Sequence, residues 1–127
     1  MAARIEAHRD ARAPGWRTLE APLDLAGALA EAGANPVLVD CLTLWLTNLL
    51  LAGRDIEAAQ DGLLAALAMR PAAMTVLVGN EVGLGIVPDN ALARGFRDAA
   101  GRLHQALAAR ADRVLFMVAG LPMTVKG

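Results

Sequence analysis

The chain is 127 residues long, 56% hydrophobic, 3% aromatic and 20% charged, with a formal net charge of −1. That length holds one domain with a real core, and with so few aromatics the core must come from Ala, Leu and Val. The charge balance excludes a general nucleic-acid binder, which carries a basic excess. The lone cysteine, Cys41, excludes an intramolecular disulfide or a multi-cysteine metal site.

The first twenty residues crowd Arg4, His8, Arg9, Arg12, Trp16, Arg17 and Glu20 together. Guanidiniums hold phosphate oxygens bidentately, and a neutral imidazole nitrogen among them is free to attack phosphorus. A basic, solvated segment with an incidental histidine has the same composition, so spacing alone leaves both readings open. The segment is too charged for a signal peptide. Three apolar runs follow, Val37-Leu38-Val39, Met74 to Val78 and Val114 to Val118. They lack polar alternation and read as strands buried on both faces of a parallel sheet. Helical stretches lie between them: Leu42 to Leu51, then Ile56 to Met69 closed by Arg70-Pro71, then about Asn90 to Arg110. The last has an apolar stripe through Leu92, Phe96, Ala99, Ala100, Leu103 and Leu107. The most apolar run, Cys41 to Gly53, is interrupted by Thr43, Thr47 and Asn48 and is too short to span a bilayer. No repeat, low-complexity tract or linker appears, so residues 1–127 read as a single α/β domain of a soluble cytoplasmic protein.

Each apolar run ends in a polar or glycine element: Asp40, Gly79-Asn80-Glu81 and Ala119-Gly120. Ligands of open parallel sheets bind at the carboxyl ends of strands, so these positions are candidates. Asp40 also has the chemistry of an N-cap for a helix starting at Cys41. The two roles are compatible. Gly83-x-Gly85 lacks the third glycine of a dinucleotide fingerprint and is followed by Pro88, so it reads as a tight loop with Asn80 and Glu81 held at its start. Arg94, Arg97 and Arg102 suit phosphate contacts or a solvated helix face equally, and His104 reads as an incidental, partly exposed histidine.

Four blocks in one order carry a resemblance. They are Arg4-Ile5-x-x-His8-x-x-x-Arg12-x-x-x-Trp16-Arg17-Thr18-x-Glu20, Asp40-Cys41-Leu42-Thr43 with Thr47-Asn48-Leu49-Leu50, Asn80 to Pro88, and Leu92-Ala93-Arg94-x-Phe96-Arg97-Asp98-x-Ala100-Gly101-Arg102. Together they resemble the bifunctional adenosylcobinamide kinase / adenosylcobinamide-phosphate guanylyltransferase family of cobalamin biosynthesis, essentially from Met1 to the C-terminus. That family opens with a Gly-x-x-x-x-Gly-Lys-Ser phosphate loop after its first strand. The only lysine here is Lys126, so no such loop lies within these residues. The expectation is a family member truncated at its N-terminus.

The resemblance implies a three-layer α/β fold, a mostly parallel sheet flanked by helices and P-loop nucleotide-hydrolase-like, here without its first strand and phosphate loop. It implies a kinase and guanylyltransferase that phosphorylates adenosylcobinamide and then transfers GMP from GTP to adenosylcobinamide phosphate through a guanylyl-histidine. His8 is the implied nucleophile. Arg9, Asp10, Ala11, Arg12, Glu20 and Asp40 are the implied nucleotide-binding residues, and Asp40 would also hold Mg²⁺ through water. Asp40 stands where the family often has Glu. GTP, ATP and Mg²⁺ are the implied cosubstrates and cofactor, and a homotrimer the implied assembly. The alternative is a catalytically dead fragment acting only in assembly with intact subunits.

Overall fold

The computed structural model describes Ala7 and residues 14–127. The elements run α1 (Leu25–Ala32), β1 (Val37–Asp40), α2 (Leu42–Leu51), α3 (Ile56–Ala68), β2 (Thr75–Val78), α4 (Ala91–Arg110), β3 (Val114–Val118) and β4 (Leu121–Lys126). β1 and β2 pair in parallel, with Val37 opposite Thr75 and Asp40 opposite Val78, so α2 and α3 form the crossover between them. The protein is thus α/β, a parallel sheet flanked by helices.

Side chains in a strand alternate faces, and this sheet uses the two faces differently. Val39 is buried in the main core, and Val37 and Leu77 pack against that core. On the other face Leu38, Val76 and Val78 are 48%, 47% and 39% exposed. The expectation of burial on both faces therefore holds for one face only among the described residues. The core joins Leu25 and Leu29 of α1, Leu42, Trp45 and Leu49 of α2, Leu63 of α3, and Leu103 and Leu107 of α4. Leu46 with Ala99 and Ala100 seals α2 against α4. Small alanines at that seam let the helices approach closely.

The third apolar run departs from expectation. Among the described residues β3 joins no parallel sheet; it pairs antiparallel with β4, Val118 opposite Leu121. Ala119 and Gly120 are the two turn residues, with φ of 51° and 74°. Positive φ at both positions matches the right-handed twist of a tight hairpin, and glycine adopts it without strain. Leu115, Met117, Leu121 and Val125 stay exposed, so an unalternated apolar run here means a hairpin open to solvent, not a buried strand. Ala119-Gly120 consequently delivers nothing to the sheet end shared by β1 and β2. Lys126 anchors the hairpin by donating to Ala108 O at 2.8 Å and Ala109 O at 3.3 Å, a cation on the last carbonyls of α4.

Candidate functional site

The register of β1 and β2 brings Asp40 beside Val78, so Asp40 and the following Gly79-Asn80-Glu81 occupy one end of the sheet. Asp40 is exposed there, and the Asp40–Cys41 peptide bond is cis. It is not the helix cap: α2 begins at Leu42, and the Cys41 Sγ accepts from Leu44 N at 3.4 Å. The cap is one residue later than expected, which leaves the Asp40 carboxylate outside the helix terminus. Thr43, in the first turn of α2, accepts from Asn80 N at 2.8 Å and fixes the start of the loop after β2.

That loop is then held by three more hydrogen bonds. Glu81 Oε1 accepts from Gly83 N at 2.6 Å, and a Cβ at Gly83 would lie 2.8 Å from the same oxygen. Any side chain here would push the Glu81 carboxylate off this contact. From α4, Arg97 donates through Nη2 to Gly83 O, and Arg94 donates to Pro88 O at 2.9 Å. Two of the three arginines that a solvated face would explain are therefore loop clasps. Arg102 and His104 instead line a cleft of about 450 Å³ together with Glu81, Arg97 and Asp98. His104 is half-buried, with Nε2 2.9 Å from where a Cβ at Gly79 would stand.

Glu20 lines a separate cleft of about 480 Å³ beside Asp24, Gly27 and Glu31. The segment after Glu20 is tied to α2: Trp45 Nε1 donates to Leu23 O at 2.8 Å and Asn48 Nδ2 to Pro22 O at 3.1 Å. Arg17 pairs with Glu31 at 2.7 Å in the open, a contact worth at most about 1 kcal/mol. The two clefts share no lining residue, and Asp40 lines neither. His8, Arg9, Asp10, Ala11 and Arg12 lie outside the described residues.

Among the described residues no three His, Cys, Asp or Glu side chains gather as a metal site. A single exposed carboxylate such as Asp40 suits Mg²⁺, which keeps most of its waters and takes its remaining ligands from substrate phosphates. Among the described residues no helix is long and apolar enough to cross a membrane.

Trp45, Arg97 and His104 were not legible as site-shaping residues from spacing. One signal was present: Thr43, Thr47 and Asn48 interrupt an otherwise apolar helix, and each now has a stated partner, Thr47 donating to Thr43 O at 2.9 Å.

Comparison with known proteins shows the family. The model of the cobinamide kinase / cobinamide phosphate guanyltransferase family matches residues 1–125. The bifunctional adenosylcobalamin biosynthesis protein CobP of Pseudomonas aeruginosa is 52% identical over 132 residues, spanning 100% of this chain and 75% of that protein. CobU of Salmonella typhimurium and of Escherichia coli, both bifunctional adenosylcobalamin biosynthesis proteins, are each 44% identical, spanning 99% of this chain and 78% of their own lengths. The chain belongs to the cobinamide kinase / cobinamide phosphate guanyltransferase family.

Proposed function

We infer that this chain works in cobalamin biosynthesis, in the cytoplasm, as the guanylyl-transferring part of a bifunctional enzyme. The family is P-loop-like and enzymatic. The observation that carries the reading is the conjunction of the His8 block with a sheet end that gathers Asp40, Thr43, Asn80 and Glu81. GTP and adenosylcobinamide phosphate are the substrates, with ATP or GTP the donor for the kinase step.

His8 attacks the α-phosphorus of GTP through its neutral imidazole nitrogen, the bond to the β-phosphate breaks, and pyrophosphate leaves. A phosphate oxygen of adenosylcobinamide phosphate then attacks the guanylyl-histidine, His8 departs, and adenosylcobinamide-GDP forms. Splitting the displacement means two polyanions never have to meet in a single step. Arg9 and Arg12 neutralise the triphosphate, Asp10 and Ala11 belong to the same nucleotide-binding set, and Glu20 accepts from ribose hydroxyls or the guanine N–H edge. Asp40 would hold Mg²⁺ through water, where the cation would supply neutralisation of phosphate charge. Three subunits assemble as a homotrimer, a reading supported by the exposed apolar residues Leu115, Met117, Leu121 and Val125 of the hairpin.

The test is incubation with α-labelled GTP. A label on the chain that is acid-labile and base-stable, as a phosphoramidate is, and absent from His8→Ala, is the expected result. Retention of that label in His8→Ala overturns the assignment.

A further inference from the structure

The cleft between α4 and the loop after β2 has no role in the scheme above, yet it is built for an anion. Arg97, Gly101 and His104 stand at i, i+4 and i+7, one face of a helix. Arg102 lines the same cleft from the adjoining stripe. Arg97 spends Nη2 on Gly83 O, while its Nη1 is buried with no hydrogen-bond partner among the described residues. A buried guanidinium donor without an acceptor is an unmet demand, and a ligand oxygen satisfies it once the Arg97 side chain turns toward the cleft. Between Arg97 and His104, Gly101 puts no side chain into the cleft, and a Cβ there would meet nothing within 4 Å. Glycine is a poor helix former in mid-helix, and here its effect is open space. Of the acids nearby, Glu81 is turned back onto Gly83 N at 2.6 Å, and Asp98 is exposed, one turn from Arg102.

We propose that this cleft binds a phosphate group, and that the phosphate is the monoester of the acceptor, not a phosphate of the nucleotide. Two guanidiniums and an imidazole match a phosphate dianion in donor number, while Glu81, held by Gly83 N, and the exposed Asp98 offset part of their charge. The acceptor is favoured because Glu20, on the nucleotide side, lines a different cleft with no residue in common. The acceptor assignment rests on the guanylyltransferase reading; the phosphate site itself does not.

The experiment separates the two. The chain has two histidines, so in a His8→Ala background His104 is the single imidazole reporter in proton NMR. Titration with inorganic phosphate should shift it, and Arg102→Gln or Gly101→Leu should abolish the shift. Calorimetry on the otherwise wild-type chain then measures binding of adenosylcobinamide phosphate, adenosylcobinamide and GTP. Arg102→Gln should weaken adenosylcobinamide phosphate about tenfold, the scale of one lost charged hydrogen bond, and Gly101→Leu at least as much. GTP and unphosphorylated adenosylcobinamide should stay within about twofold. Arg102→Gln lies on an exposed residue, so it keeps the test valid if Gly101→Leu melts early. No His104 shift with phosphate overturns the site. Loss of GTP binding in the variants, or equal loss for both corrinoids, overturns the acceptor assignment. A phosphate shift in a chain that binds no corrinoid and no GTP would leave the anion site standing and sink the guanylyltransferase reading instead.

Discussion

Replacing Arg70 probes how a charge can sit in this core without a counter-ion. Its side chain is 7% exposed, yet its hydrogen-bond partners among the described residues are all neutral. Nη1 donates to Gly33 O and, at 3.5 Å, to Leu29 O; Nη2 donates to Asn35 O at 2.6 Å; Nε donates to Thr75 Oγ1 at 3.3 Å. Leu29 and Gly33 lie at the C-terminal end of α1, where the helix dipole presents its negative pole. The guanidinium thus replaces a missing C-terminal cation and staples the turn before β1 to the start of β2. Arg70→Met keeps the aliphatic stem and removes every donor. Each hydrogen bond to a charged group is worth about 1.5–3 kcal/mol. Gly33 and Asn35 are exposed enough for water to take over their carbonyls, and relief from burying the charge offsets part of the loss. The net expectation is a destabilisation of about 2–3 kcal/mol, against a total of about 5–15 for a domain. Arg70→Lys, a point charge unable to fork across three carbonyls, should cost about 1–2 kcal/mol. Urea denaturation followed by far-UV circular dichroism reads this as a lower midpoint at unchanged slope. An Arg70→Met protein as stable as the parent, or more so, would show that desolvation of the guanidinium outweighs its hydrogen bonds and refute the staple.

Four further outcomes are expected. Asn48→Ala frees Pro22 O and loosens the segment after Glu20, raising KM for GTP about threefold to tenfold in guanylylation assays with fold stability changed by less than about 1 kcal/mol; an unchanged KM would disconnect that segment from the nucleotide. Gly83→Ala places a methyl against Glu81 Oε1 and displaces the loop, so transfer should fall about a hundredfold, the scale of an ~1 Å misplacement, while the thermal midpoint stays put. Gly27→Ala collides with the Asp24 carboxylate that caps α1, at a cost of about 1 kcal/mol in urea denaturation. The 127-residue polypeptide itself, which contains no Gly-x-x-x-x-Gly-Lys-Ser stretch, should phosphorylate no adenosylcobinamide, whereas a version carrying such a loop upstream should; equal rates would refute the dependence on that loop.

Periodicity located what periodicity controls. The helices expected at Leu42 to Leu51 and about Asn90 to Arg110 are found at Leu42–Leu51 and Ala91–Arg110, because each has an apolar stripe and a capping side chain, Cys41 and Asn90. α1 went unread: Leu25–Ala32 is only eight residues, too short for its pattern to stand out, and its stability comes from the Asp24 cap and from packing Leu25 and Leu29 against the core. The run at Val114 to Val118 predicts a strand but not its partner, since an apolar run reports how a strand is built and not what pairs with it. The pairing was set by Ala119-Gly120, whose positive φ values turn the chain back at once. Of the candidate site, Asp40 and the Asn80 to Pro88 loop stand at the sheet end that strand order required. Arg97 and His104 could not be assigned in advance: their significance lies in what they face across the cleft, which is a tertiary fact.

The same distinction explains why α2 carries polar side chains at a cost to its apolar character. A helix there needs only Leu42, Trp45, Leu46 and Leu49 to bury itself. Thr43, the Trp45 indole N–H and Asn48 add nothing to that burial; they reach out to Asn80 N, Leu23 O and Pro22 O respectively. One rigid element therefore fixes two loops, the one bearing Glu81 and the one following Glu20, while the Asp40 carboxylate sits just ahead of its first turn. Transfer between two bound phosphates demands that both sites keep their spacing, since small displacements are expensive in rate. Loops tied to separate helices would drift independently. Both are tied to one helix whose buried face packs on α1, α3 and α4 through the main core, and Arg94 and Arg97 of α4 add a second hold on the loop after β2; under the proposed function, α2 is the element that would translate core packing into alignment of donor and acceptor.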